Sequence, residues 1–263
     1  MAVGPDQFSP APPMAHDPKL GEREYFARIG EAGIRHSLGK PFSDDECSQQ
    51  LSNIDALFHL LVPPPARILE FGCGVGWLST FLALRGYEVH GIDISPDAIA
   101  AAQNASQARG LPNLRFAVGD YEDAPPRRDF DYVIFYGALH HAENELRAVQ
   151  HAYEALRPGG AMIAFETDVG HASLPASVKA VQEFGVHEKD MSCAYIAELG
   201  GRAGFRRHLI LQRPHQILRS LYRPSYGRGT GVLDLKFRLF LSKLRVIRHL
   251  FHRHEDRFIV LWK

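Results

Sequence analysis

The chain has 263 residues, with 30 lysines and arginines balanced by 30 aspartates and glutamates. That length suits one α/β domain with additions better than two full domains, and a net charge of zero supplies no global field to draw the protein onto a nucleic acid. Cys47, Cys73 and Cys193 are widely spaced and lack a C-x-x-C pair, so neither a redox centre nor a metal site is expected, and reduced thiols point to the cytoplasm.

Residues 1–18 hold Pro5, Pro10, Pro12, Pro13 and Pro18 among small residues, a composition that buries too little surface to offset its ordering entropy, and they read as a disordered tail. This start has neither the basic nor the apolar region of a signal peptide, and no apolar run approaches the ~20 residues of a membrane span. From about Glu22 to Leu61 the pattern is helical, with Ile54, Leu57, Phe58 and Leu61 on one face, and it stops at Pro63-Pro64-Pro65. Residues 19–65 are therefore expected to form an N-terminal helical cap.

A regular alternation follows: strand 67–71, helix 77–86, strand 87–93, helix 96–109, strands 114–118 and 131–136, helix 143–156, and strand 161–166 after Pro158-Gly159-Gly160. A helix at 191–203 and strands at 205–212 and 257–262 bring the expected strand count to seven. Short strands that alternate with helices and carry near-continuous apolar runs predict a mostly parallel, doubly wound sheet covered on both faces. The core domain is expected over 66–213 and 255–263, with a helical insertion at 214–254. Inside the insertion, Phe237, Phe240, Leu244, Ile247 and Phe251 recur at steps of three and four among lysines and arginines, which makes 233–251 a basic amphipathic helix.

The chemistry is concentrated between the first strand and the first helix of this alternation. In Glu70-Phe71-Gly72-Cys73-Gly74-Val75-Gly76-Trp77 three glycines occupy alternate positions, letting a ligand lie against the backbone. The dinucleotide fingerprint G-x-G-x-x-G would need glycine where Trp77 stands, which disfavours NAD. Glu70 suits an amino group better than a pyrophosphate. Asp93 ends the next strand, where a carboxylate can accept both hydroxyls of a ribose; it could also cap the following helix, although Ser95 is the better placed cap. Gly119-Asp120-Tyr121 follows the third strand and offers a carboxylate and a ring to an adenine.

Taken in order, these residues resemble the class I S-adenosylmethionine (SAM)-dependent methyltransferases. The Glu70–Gly76 turn resembles their first motif, Asp93 their ribose-binding acid, Asp120 their adenine-side acid, and Leu156-Arg157-Pro158-Gly159-Gly160 the turn before their fifth strand. The resemblance covers 66–167 and reaches the C-terminus loosely. It implies a Rossmann-like fold with an antiparallel last strand, SAM as cofactor, and a cofactor site built from Glu70, Gly72, Cys73, Gly74, Gly76, Trp77, Asp93, Ile94, Asp120, Tyr121 and Tyr136. The family joins its last two strands by a short hairpin, whereas here about 40 residues intervene, which leaves the role of the insertion open. Glu24-Tyr25-Phe26-Ala27-Arg28-Ile29-Gly30 and Lys40-Pro41-Phe42 are also similar to the N-terminal cap of bacterial methyltransferases of glycan and secondary-metabolite pathways.

His140 and His141 follow the fourth strand where a methyl acceptor would sit, and Glu166 ends the fifth; each is a candidate general base for a hydroxyl. The competing reading has one histidine packing and the other solvated. The amino-methyltransferase motif Asn/Asp-Pro-Pro-Tyr/Phe is absent, since Tyr136-Gly137-Ala138-Leu139-His140 stands there. This favours O-methylation of a small hydroxylated metabolite or a glycan. Tyr25, Arg28 and His36 are candidates for a lid. Two rival functions remain: a SAM-binding protein without methylation activity, and a membrane-surface enzyme anchored through 233–251.

Overall fold

Along each central strand, successive residues are buried on opposite sides. Leu69, Phe71, Val133, Phe135, Met162 and Ala164 belong to one hydrophobic cluster, and Ile68, Ile134, Ala161, Ile163 and Phe165 to another. This is the period-two signature of a sheet covered on both faces; each large apolar side chain fully withdrawn from water contributes about 1.5–3 kcal/mol. The computed structural model describes residues 17–123, 127–222 and 257–263, with Lys236, Phe237, Phe240, Leu241, Lys243, Leu244 and Ile247 between the last two segments. The tail expected over 1–18 therefore lies almost wholly outside the described residues, as does much of the 233–251 helix.

The strands are β1 (Arg67–Phe71), β2 (Glu88–Asp93), β3 (Leu114–Val118), β4 (Phe130–Tyr136), β5 (Leu156–Phe165), β6 (Arg207–Gln212) and β7 (Arg257–Trp262). They form one seven-stranded sheet in the order β3-β2-β1-β4-β5-β7-β6. β1 to β5 pair in parallel, whereas β7 is antiparallel to both β5 and β6. The strand order reverses between β1 and β4, opening a crevice at the carboxyl ends of those strands.

Eight helices surround the sheet among the described residues: α1 (Leu20–Leu38), α2 (Cys47–Leu60), α3 (Trp77–Arg85), α4 (Pro96–Arg109), α5 (Glu145–Ala155), α6 (Pro175–Phe184), α7 (Cys193–Ala203) and α8 (Pro214–Tyr222). Ile54 and Leu57 of α2 and Leu78 and Leu82 of α3 cover one face. Val149 and Ala152 of α5 and Ile196 and Leu199 of α7 cover the other. Side-chain caps start three of these helices: Ser95 accepts from the Ala98 N–H, Asn144 from Arg147 and Ser192 from Tyr195.

The structure refines three expectations. The helical stretch 22–61 is two helices, and Gly30, at φ 65°, kinks the first. The Pro158-Gly159-Gly160 turn lies within β5, where Phe130 faces Leu156 but Tyr132 faces Ala161, so it forms an irregularity in the ladder and does not precede the strand. α6 was not expected. Pro175 opens it, a position that suits proline, but Val178 and Val181 face solvent and leave no core-facing stripe to read. Among the described residues, no helix is long and apolar enough to cross a membrane.

Candidate active site

The glycine turn between β1 and α3 is packed from two sides. Gly72 (φ 67°) and Gly76 (φ 74°) hold left-handed backbone; a Cβ on the first would come within 2.5 Å of the Ala138 Cβ, and one on the second within 2.2 Å of the Phe116 ring. The turn is thus wedged between the loop after β4 and strand β3. The Gly74 N–H donates to Asp93 Oδ2 at 2.7 Å, and Asp93 Oδ1 accepts from the Ser95 N–H at 2.9 Å. Ser95 takes the cap of α4, as read from the sequence, but Asp93 is held by two backbone donors instead of standing free.

Over this turn lies a cavity of about 370 Å³. Of the cofactor-side residues expected from the sequence, Glu70, Gly72, Cys73, Gly74 and Trp77 line it, as do Asp93, Ile94, Asp120, Tyr121 and Tyr136. Gly76 does not, because its small size serves the contact with Phe116. Tyr121 is more committed than expected: its hydroxyl donates to the Ala138 carbonyl at 2.9 Å and its ring packs on Phe71 and Phe135. The Trp77 ring stands edge-on to Tyr136, whose hydroxyl accepts from Asn53 of α2 at 2.9 Å.

The rim is acidic. Glu70 is 3% exposed and accepts from the Ser79 hydroxyl of α3. Burial pushes its carboxyl up to about 8; the Ser79 hydrogen bond opposes that rise and the nearby Asp93 charge adds to it. Burial also raises Asp93, against the two N–H groups it accepts. Lys19, just before α1, bridges Asp120 at 2.6 Å and Glu122 at 2.8 Å. Glu122 is tied further by the N–H groups of Glu143 and Asn144.

Three groups expected to share one task lie close together, the His140 and His141 rings 4.0 Å apart, but take different partners. His141 lines the cavity, with Nδ1 2.6 Å from the His187 carbonyl and 3.6 Å from Glu22 Oε1. Burial disfavours its charge, but Glu22 and Glu188 outweigh burial and raise it to about 9. The surroundings of His141 thus favour its charged form over the free base. His140 is 5% exposed and absent from the lining; burial and the neighbouring His141 charge lower its pKa, and its Nδ1 lies 2.8 Å from Glu166 Oε2. Glu166 is also outside the cavity. It accepts from the N–H groups of Ala138 at 3.0 Å, Leu139 at 2.8 Å and His140 at 3.4 Å. Burial would raise it, but His140 and these donors hold it below the usual carboxylate range. Glu166 positions the loop after β4 from outside the cavity lining.

The lid also differs from its expected membership. Lys19, Glu22, Tyr25 and Phe26 line the cavity from the start of α1, and Tyr25 packs edge-on against Phe184 of α6. Arg28 turns outward to Glu24 and the Phe184 carbonyl, and His36 is exposed outside the lining. Gln50 of α2 lines the cavity with its buried Oε1 unpartnered. A buried acceptor and three carboxylates at the ends of adjacent strands fit a ligand that carries an ammonium and a ribose.

An open sheet with an antiparallel seventh strand and a pocket at its switch point defines a Rossmann-like α/β architecture. Residues 68–160, the segment that holds the glycine turn, Asp93 and Asp120, match a methyltransferase domain family. It is 38% identical over 106 residues to a demethylmenaquinone methyltransferase of Thermus thermophilus, covering 39% of this chain and 47% of that one. It is 32% identical over 113 residues to a SAM-dependent Diels-Alderase of Talaromyces variabilis, covering 41% and 39%. The chain thus spans less than half the length of these curated relatives. Its fold is similar to phosphoethanolamine N-methyltransferase 2 of Haemonchus contortus solved with SAM, with a TM-score of 0.62 at 20% identity over 93% of this chain and 59% of that one.

Proposed function

We propose that the protein binds SAM in the cavity over the glycine turn and transfers its methyl group to a hydroxyl of a small metabolite or a glycan. The observation that carries this reading is the Asp93 carboxylate, fixed at the end of β2 by the Gly74 N–H, with Glu70 and Asp120 on the same rim. Asp93 and the adjacent Ile94 would hold the ribose, Asp120 and Tyr121 the adenine, and Glu70 with the glycine turn and Trp77 the methionine end. Bound there, the sulfonium supplies an electrophilic methyl group with a good leaving group. Alignment in a dry pocket then supplies much of the acceleration. Tyr25, Phe26 and Glu22 of α1 close the acceptor side, and the His141 cation orients polar groups of the acceptor. The free Cys47, Cys73 and Cys193 suit a reducing compartment such as the cytoplasm.

The test is calorimetric titration of the full chain with SAM and with S-adenosylhomocysteine, beside Asp93→Ala. Micromolar binding lost in the variant supports the site; no binding by the intact chain sinks it. A second reading, SAM binding without methylation, is favoured by the similarity to a SAM-dependent Diels-Alderase. It predicts tight SAM binding and no S-adenosylhomocysteine formed with any acceptor in a broad hydroxyl and amine screen.

A further inference from the structure

Beside the acceptor end, three side chains from separate segments converge. One ring nitrogen each of His140 and His171 and a carboxylate oxygen of Glu188 all lie within 4.8 Å of one another. His171 Nε2 is 2.5 Å from Glu188 Oε2, and His140 Nε2 is 3.7 Å from the same oxygen. Their side chains are 22%, 12% and 7% exposed for His171, Glu188 and His140, and Glu188 also lines the cavity. The spacing 140, 171, 188 follows no short ligand motif, so the residues alone do not announce a metal.

We propose that His140, His171 and Glu188 bind a first-row divalent cation at the acceptor end of the cavity. Two imidazoles and one carboxylate suit zinc, manganese, iron or cobalt, whereas magnesium and calcium favour all-oxygen sites. The outer contacts match what such ligands need. Glu166 accepts from His140 Nδ1 at 2.8 Å, the carboxylate–histidine arrangement that fixes a ring so that Nε2 faces the ion. The other two ligands sit on segments fastened together: Asp190 accepts from the N–H groups of Gly170 and Ala172, and Lys189 donates to the Ala142 carbonyl and to Glu145. Bonds of about 2.0–2.2 Å in tetrahedral geometry set neighbouring ligand atoms roughly 3.4 Å apart, so Glu188 and His171 separate by nearly an ångström and His140 moves in by a few tenths of one.

Three protein ligands leave positions open for an acceptor oxygen, and here the inference rests on the methyl-transfer reading. A hydroxyl bound to the ion loses its proton to water. Its oxygen then forms the bond to the methyl carbon as the sulfur–methyl bond breaks, and the sulfonium leaves as a neutral thioether.

The experiment uses the full chain without an affinity tag, stripped with a chelator and dialysed against Zn(II) or Co(II). The expected result is one ion per chain and a visible absorption spectrum for bound Co(II). His171→Ala and Glu188→Gln each weaken binding at least about 10-fold, while exposed His59→Asn leaves it unchanged. His171→Ala, outside the cavity lining, keeps the parent circular dichroism spectrum and binds SAM in calorimetry. A stripped chain that takes up no ion, or whose uptake is unchanged in His171→Ala, overturns the metal site and leaves a hydrogen-bonded His171–Glu188 pair. Because ion uptake is read without SAM, failure of SAM binding and failure of the metal site are separate results.

Discussion

Replacing Glu70 by Gln tests the cavity floor through pH. The Glu70 carboxyl stands at about 8 in the folded protein against an ordinary value of 4.5. Its folded state therefore holds a proton that the unfolded chain has lost, and stability falls as pH rises between those two values. At about 1.4 kcal/mol per unit, the full effect is about 5 kcal/mol, and about 2 kcal/mol of it falls between pH 6 and pH 8. Gln keeps the shape and still accepts from Ser79 but cannot ionise. Urea unfolding of both proteins at those two pH values should therefore show the variant gaining about 2 kcal/mol relative to the parent, with all other titrating groups cancelling. The same proton reports on the ligand. At pH 7 about nine-tenths of Glu70 is protonated, so an ammonium arriving beside it should expel close to one proton, read as a buffer-dependent heat of SAM binding that Glu70→Gln abolishes. Identical pH slopes for the two proteins would refute the argument by showing that Glu70 is ionised in the folded state.

Other outcomes follow from single contacts. Asp93→Asn should weaken SAM binding about 100-fold in calorimetry, the loss of charge-assisted hydrogen bonds to two hydroxyls, and an unchanged affinity would remove Asp93 from the site. Lys19→Ala leaves Asp120 and Glu122 without their shared cation; amide exchange should speed up across α1 while the sheet stays protected. Gly76→Ala drives a methyl group into Phe116 from a left-handed backbone and should cost about 2–4 kcal/mol in denaturant unfolding, with part regained by pairing it with Phe116→Leu. Phe237, Phe240, Leu241, Leu244 and Ile247 are exposed within a lysine- and arginine-rich stretch, so the chain should sediment with anionic vesicles and release in salt; no sedimentation would leave that face to another partner.

The sheet was legible because its strands are buried on both faces, so continuous apolar runs such as Tyr132–Phe135 announce themselves without periodicity. The cavity floor was legible for a local reason: the glycine turn, Asp93 and Asp120 each sit at a strand end that the alternation of elements already locates. The lid was not. Lys19 and Asp120 are separated by 101 positions, and no local pattern in the first helix marks which of its polar residues turn inward. His140 and His141 show the limit most sharply. They are neighbours in a short 3-10 turn with their rings 4.0 Å apart, yet their ring nitrogens find different partners. One is locked to Glu166, and the other is charged by Glu22. Only the three-dimensional fold decides which is which.

The hold of Glu166 on the loop after β4 has a consequence for how such a protein can change. Its carboxylate grips main-chain N–H groups at 138, 139 and 140, atoms that every non-proline residue possesses. The shape of that loop is therefore set from the neighbouring strand and depends little on the side chains the loop displays. Substitutions at His141, which lines the cavity, can alter what the pocket meets while the main-chain path survives, whereas Gly137 is held by its left-handed backbone and Leu139 by the core. A library randomised at loop positions with Glu166 retained should yield far more folded members than one in which Glu166 itself is varied, giving a protected scaffold on which new acceptor preferences can be selected.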